Sequence, residues 1–324
     1  MGARIEEAVA QAGPGHGWRK VTARRLADAA ARTCLARAGK EASDVDMLIN
    51  AGVYREDSMG EPALATLIQE DIGANLGHPG AVGHGTFSFD AANGITGVLN
   101  GIHLQAGLLR SGVIKSGLIV TSDTHPGHEE AVSTLFRPIG GALLLGRDDS
   151  ILGFTDFHFE TFPEYEDLLV SGLVWRPRRG LGGPGAPAGQ HQMIIDERPG
   201  YQARCVDCAE EATRRFLGRL GMRIDEIDLL VPAPAAPDIL DPLRIRLGIP
   251  GDRIAFTSED LVDAYSTGPI AALQAAIKSG RLAEARNTLL LAVGAGITVA
   301  LALYRQVAPD AKPDQEPEAS PAHE

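Results

Sequence analysis

Helical and strand periodicities alternate along the chain. Thr22 can cap a helix whose apolar positions Leu26, Ala30 and Cys34 recur at four-residue spacing, and Gly39 stops it. A buried strand over DVDMLINAG follows, then a helix from about Pro62 to Ile72 and a short strand TFSFD ending at Asp90. A long helix from about Asn93 to Arg110 leads into the strands GLIVTSD, GGALLLG and ILGFTDFHFE. Beyond a Gly/Pro-rich segment, Pro177 to His191, a second α/β series runs from Tyr201 to Tyr304. Its last stretch, LLLAVGAGITVALALY, is apolar throughout but shorter than the roughly 20 residues of a bilayer helix. Gly294 and Gly296 divide it into two strands buried on both faces.

The two halves repeat each other. LARAGKEASDVDMLINA from Leu35 aligns with LGRLGMRIDEIDLLVPA from Leu217, so that Leu35/Leu217, Gly39/Gly221, Asp46/Asp228 and Leu48/Leu230 coincide. Further on, the helix ending Arg110-Ser111-Gly112 corresponds to the one ending Lys278-Ser279-Gly280. A repeat of this length is too long for a solenoid unit and implies a duplicated α/β domain. The expected divisions are residues 1–170, a Gly/Pro-rich loop at 171–191, a second half at 192–307 and a disordered tail at 308–324, rich in Pro, Glu and Ala.

Charge narrows the partners. Against 30 Lys and Arg stand 42 Asp and Glu, a formal net charge of −12 that disfavours nucleic acid and anionic membranes. Cys34, Cys205 and Cys208 are too few for a disulfide framework, and MGARIEEAVA lacks the layout of a signal peptide, so the cytoplasm is the expected compartment. Cys205 and Cys208 stand three apart in what reads as an interior helix without a second such pair, so no metal site is expected there. Cys34, on an apolar stripe, reads as inert core. His125, His128, Glu129 and Glu130 fall in a loop broken by Pro126 and Gly127 and read as solvated. The basic run Trp175-Arg176-Pro177-Arg178-Arg179 reads the same way, although it could meet a phosphate.

Five blocks in order resemble the thiolase superfamily, in particular its ketoacyl synthase III branch: ASDVDMLINAG, SFDAANGITGVLNGIHLQAGLLRSG, IDEIDLLVPA, LVDAYSTGPIAALQAAIKSG and AVGAGITVALALYR. The resemblance runs from about Val21 to Val307 and implies a layered α-β-α-β-α fold with two mixed, five-stranded sheets. It also implies that the catalytic positions are altered. The nucleophilic cysteine would stand six residues after the Phe of Phe89-Asp90, where this chain has Ile95. The histidine of Val-Pro-His becomes Ala233, and the asparagine falls at about Tyr265.

No catalytic residue, cofactor or metal is therefore expected, and the resemblance points to a pseudoenzyme. It is similar to the non-catalytic subunits of heterodimeric condensing enzymes such as the alkylquinolone synthase. Such a subunit pairs with a competent ketosynthase-III-like chain in fatty acid, polyketide or other acyl-thioester biosynthesis, and an acyl carrier protein or acyl-CoA would reach it through that partner. Thr86, Phe87, Ser88, Phe89 and Asp90 are expected to form the interface strand, pairing antiparallel across a two-fold or pseudo-two-fold axis. The few residues before Val21 suggest that the family's first strand and substrate-facing loop are cut short and the acyl tunnel incomplete. The alternative reading is an acyltransferase or thioester hydrolase with Thr96 or Ser266 as nucleophile.

Overall fold

The computed structural model describes residues 1–13, 21–55, 61–74, 85–124, 138–177, 189–233, 237–256 and 264–306. Among the described residues there are eleven strands: β1 (Gly2–Ala12), β2 (Met47–Asn50), β3 (Phe87–Asp90), β4 (Ser116–Asp123), β5 (Ile139–Asp148), β6 (Gly153–Thr161), β7 (Leu169–Pro177), β8 (Gly189–Glu197), β9 (Leu229–Ala233), β10 (Asn287–Gly294) and β11 (Thr298–Arg305). The helices are α1 (Ala23–Ala38), α2 (Leu64–Ile72), α3 (Gly97–Ser111), α4 (Tyr201–Arg219), α5 (Pro237–Leu247), α6 (Gly268–Lys278) and the short α7 (Arg281–Glu284). Thr22 accepts from Arg25 N at the start of α1, and Gly39 ends that helix in the left-handed conformation.

Nine strands form a mixed sheet in the order β3-β2-β4-β5-β1-β6-β11-β10-β9. Most of its strands bury both faces, and alternate residues go to different cores. On β5, Leu143 and Leu145 join a central cluster with α3 and α6, whereas Ala142 and Leu144 join an outer cluster with α1 and α2. On β10, Leu290 and Ala292 face the central cluster, and Leu289, Leu291 and Val293 face α4 and α5. Three cores between alternating helices and strands make the five-layered thiolase-like architecture. The two expected sheets are joined into one at a single pair, Ala3↔Gly153. A Cβ on Gly153 would lie 2.0 Å from the Ala3 carbonyl oxygen, and its φ of +96° also calls for glycine.

The duplication is visible in hydrogen bonds. One oxygen of Asp46 accepts from Lys115 N and Ser116 N at 2.7 and 3.1 Å, and one of Asp228 accepts from Arg286 N and Asn287 N at 3.0 and 2.9 Å. Each aspartate precedes a buried strand and secures the start of its parallel neighbour. Among the described residues of the second half, the counterpart of β3 is a single parallel bridge from Ile254 to Leu230, the repeat partner of Leu48, which pairs with Ser88 on β3.

Two expectations are corrected. The first strand is present: β1 lies between β5 and β6, and Ala3, Ala8 and Val9 are fully buried, whereas residues 14–20, where the expected substrate-facing loop would fall, lie outside the described residues. The segment at 171–191 is not all loop, because β7 and β8 pair antiparallel from Leu169↔Glu197 to Pro177↔Gly189 and reach into it from both sides. The four residues His125, His128, Glu129 and Glu130, the pair Arg178-Arg179 and the tail lie outside the described residues.

Candidate functional site

The structure brings Ile95, Ala233 and Tyr265 together from three parts of the chain. Ile95 follows a turn after β3 in which Thr96 N donates to Asn93 O at 3.1 Å, and Gly97 opens α3. Ala233 is the last residue of β9, and Tyr265 begins a one-turn 3₁₀ helix that leads into α6. The site thus gathers at strand ends and two helix starts, a common place for chemistry in α/β folds.

Its packing is tight and apolar. A Cβ placed on Gly268 would lie 3.7 Å from Ala233 Cβ and 3.8 Å from Ile95 Cδ1, and one on Gly294 would lie 3.1 Å from Ile95 Cγ2. Ile95 is 6% exposed and Ala233 1%, and both belong to the central core. The Tyr265 hydroxyl lies 3.4 Å from the position a Cβ on Gly94, the residue before Ile95, would take.

Tyr265 holds a φ of +36°, in the left-handed region that costs an L-residue about 1–2 kcal/mol. The buried carboxylate of Asp123 offsets that strain. One of its oxygens accepts from Val53 N at 3.1 Å and Tyr54 N at 2.9 Å, and the other from Ser266 N at 3.0 Å and from the Ser266 hydroxyl. Burial pushes its carboxyl above the ordinary range, against these hydrogen bonds. Thr121 and Thr267 hydroxyls meet at 2.9 Å alongside. The loop after β2 and the 3₁₀ turn are thereby clamped together, and the rings of Tyr54 and Tyr265 meet at 5.2 Å. Their hydroxyls share a hydrogen bond, and burial raises both phenols, so neither ionises near neutral pH.

The alternative nucleophiles are engaged. Thr96 is 2% exposed and its hydroxyl donates to Asn93 O at 2.8 Å. Ser266 is fully buried, with its hydroxyl committed to Asp123. The cysteines are core groups: Cys34 sits on α1, and Cys205 and Cys208 on α4, where burial pushes their thiols to about 12, 11 and 12 respectively, and Cys205 shares a hydrogen bond with Tyr201, which feels the charge of Tyr265. His103 stacks on Phe157 and Phe159 at 4.5 and 5.4 Å, while His158 pairs with Glu160 at 2.9 Å. Among the described residues no group of three or more His, Cys, Asp or Glu is placed to hold a metal ion. No described helix is long and apolar enough to cross a membrane.

Of the expected interface strand, Phe87 is 61% exposed and its ring lies tilted against half-buried Phe89, centroids 5.5 Å apart. Thr86 is buried and donates to Val45 O, and the Ser88 hydroxyl donates to Gln69 Oε1. Asp90 has a task that the sequence pattern did not reveal. Its oxygens accept from Leu64 N and Ala65 N at 2.8 Å each, capping α2, and from Asn50 Nδ2 at 3.1 Å. The Asp123 clamp was equally hidden, although Asp123 ending an otherwise apolar strand beside Thr121 was its one signal.

Strand order, layering and duplication together define a thiolase-like α/β fold. Within that class the fold is that of the ketoacyl synthase III group, and three kinds of similarity agree. Residues 217–306 match the family model for the 3-oxoacyl-[acyl-carrier-protein] synthase III C-terminal region. Beta-ketoacyl-[acyl-carrier-protein] synthase III of Alkalilimnicola ehrlichii is 27% identical, aligned over 86% of this chain and 83% of its own length. The protein of the same name from Solibacter usitatus is 28% identical over the same shares. The 3-oxoacyl-(acyl carrier protein) synthase III structure from Pseudomonas aeruginosa superposes with a TM-score of 0.74 at 21% identity, covering 94% of this chain and 98% of that one. OleA of Xanthomonas campestris, with bound lauric acid and lauroyl-CoA, gives 0.74 at 16% identity, covering 94% and 99%.

Proposed function

We propose that this chain is a non-catalytic, ketosynthase-III-like subunit that works beside a catalytically competent condensing enzyme in acyl-thioester metabolism. The observation that carries the reading is the packing of Ile95 and Ala233 on either side of Gly268, in one buried cluster, with the Tyr265 hydroxyl against Gly94, the residue before Ile95. If these are the positions of the family's cysteine, histidine and asparagine, then the nucleophile is a hydrocarbon, the histidine a methyl group and the amide a phenol. A hydrocarbon cannot attack a thioester, and a lost oxyanion or enolate donor costs a factor of about 10²–10³ in rate.

The partner would supply Cys, His and a second polar residue. This chain would contribute the surface around β3, whose outer edge carries Phe87, and would shape the partner's acyl pocket. An exposed strand edge with aromatic side chains is a liability unless it is covered. Co-expression with a ketosynthase-III-like chain that keeps the three residues, followed by affinity capture and intact-mass measurement, tests the reading. A stable complex whose activity drops when this chain is omitted supports it. Recovery of this chain as a homodimer alone, with the synthase fully active without it, contradicts it.

A further inference from the structure

Helix α1 carries Arg24, Asp28 and Arg32 at four-residue intervals, which places them in one row on a single face. That row meets Asp71, on the last turn of α2. Arg24 forks onto both carboxylate oxygens of Asp71, and Arg32 donates to the Asp71 carbonyl. Both guanidinium groups in the row are thus spent on Asp71, while the Asp28 carboxyl between them shares a hydrogen bond with the Asp71 carboxylate. The other oxygen of Asp28, Oδ1, is buried without a hydrogen-bond partner. Glu70, 3.9 Å from Arg24, adds a further negative charge. On the sheet side, α1 packs on Val9, Leu118, Val120, Ala142 and Leu144, which are apolar.

Two carboxyls in contact can share a site only if one keeps its proton. We propose that the α1–α2 corner is a proton-dependent latch, in which a proton held by Asp28 and shared with Asp71 seats α2 against α1. The Arg24 fork holds Asp71 below the ordinary carboxylate range. Desolvation, followed by the contact with Asp71, pushes Asp28 up to about 7. The latch reaches the sheet edge, because Gln69 of α2 donates to Thr86 O at 3.0 Å and accepts from the Ser88 hydroxyl, and Asp90 caps the helix start.

The direction of the pH effect follows from linkage. Between the unfolded carboxyl's value near 4 and about 7, the folded chain holds one proton more than the unfolded chain, so stability falls as pH rises through that window and is flat above it. Asp71, shifted the other way, titrates below the window and does not oppose the trend.

Melting temperatures of the purified full chain and of Asp28→Asn, which keeps a donor toward Asp71 but no ionisable proton, test this from about pH 5 to 8.5. The variant should melt about 2 °C or more further above wild type at the upper limit than at the lower one. Parallel curves overturn the latch. Difference infrared spectroscopy gives a second readout: wild type at about pH 6 should show a protonated-carboxyl band that fades near neutrality. The band should be lost in Asp28→Asn or, should that variant not fold, should fade at lower pH in Asp71→Asn, where the like charge is gone and Arg24 is freed. A band unchanged in whichever variant folds, or none in wild type, equally overturns the proposal. None of these readings depends on a partner chain.

Discussion

At the residue scale, Ile95 is a packing residue. It fills the space among Gly268, Gly294 and Ala233, so Ile95→Ala should cost about 2–4 kcal/mol of stability, measured by denaturant unfolding. Ile95→Cys should fold, yet should not restore condensation, because Ala233 and Tyr265 leave an enolate without its donors; substantial turnover by that single variant would refute the assignment of the site. Gly153 answers to a different constraint. With its φ of +96° and the Ala3 carbonyl where a Cβ would go, Gly153→Ala should destabilise by about 2 kcal/mol or more, seen as a lower unfolding midpoint.

At the element scale, Asp90 ties β3 to the start of α2, and Asp90→Ala should lower stability by about 1–2 kcal/mol, with amide exchange rising first in α2. A loss confined to other helices would count against that role. Most elements were legible because their patterns are simple: the runs 289–293 and 299–303 are apolar at every position, since alternate residues face two different cores. The start of the chain was not. In β1 the pairing register shifts between Ile5 and Glu7, which breaks the two-residue alternation and leaves Glu6 and Glu7 in sequence, so that a central strand does not show as one in the pattern. The Gly/Pro composition after Pro177 likewise hid the ends of the β7–β8 hairpin. At the site, the positions Ile95, Ala233 and Tyr265 were legible only as replacements within recognisable blocks. The Asp123 clamp joins Tyr54 to Ser266 across the fold, a contact that no local pattern encodes.

At the scale of the whole molecule, the fold keeps the duplicated frame of a condensing enzyme, and the proposed role moves its chemistry to another chain. The β3 edge is where such a partner would pair. Phe89→Asp would place a charge beside the exposed Phe87 ring, so the assembly should shrink in size by light scattering while the chain stays folded. An unchanged assembly would remove β3 from the interface. The most direct test of the central claim is to incubate the purified chain alone with an acyl-CoA and to follow both its intact mass and the release of free CoA. The account predicts no acyl adduct and no CoA release above the uncatalysed background. A covalent acyl-protein, or CoA released in proportion to the amount of this chain, would contradict it.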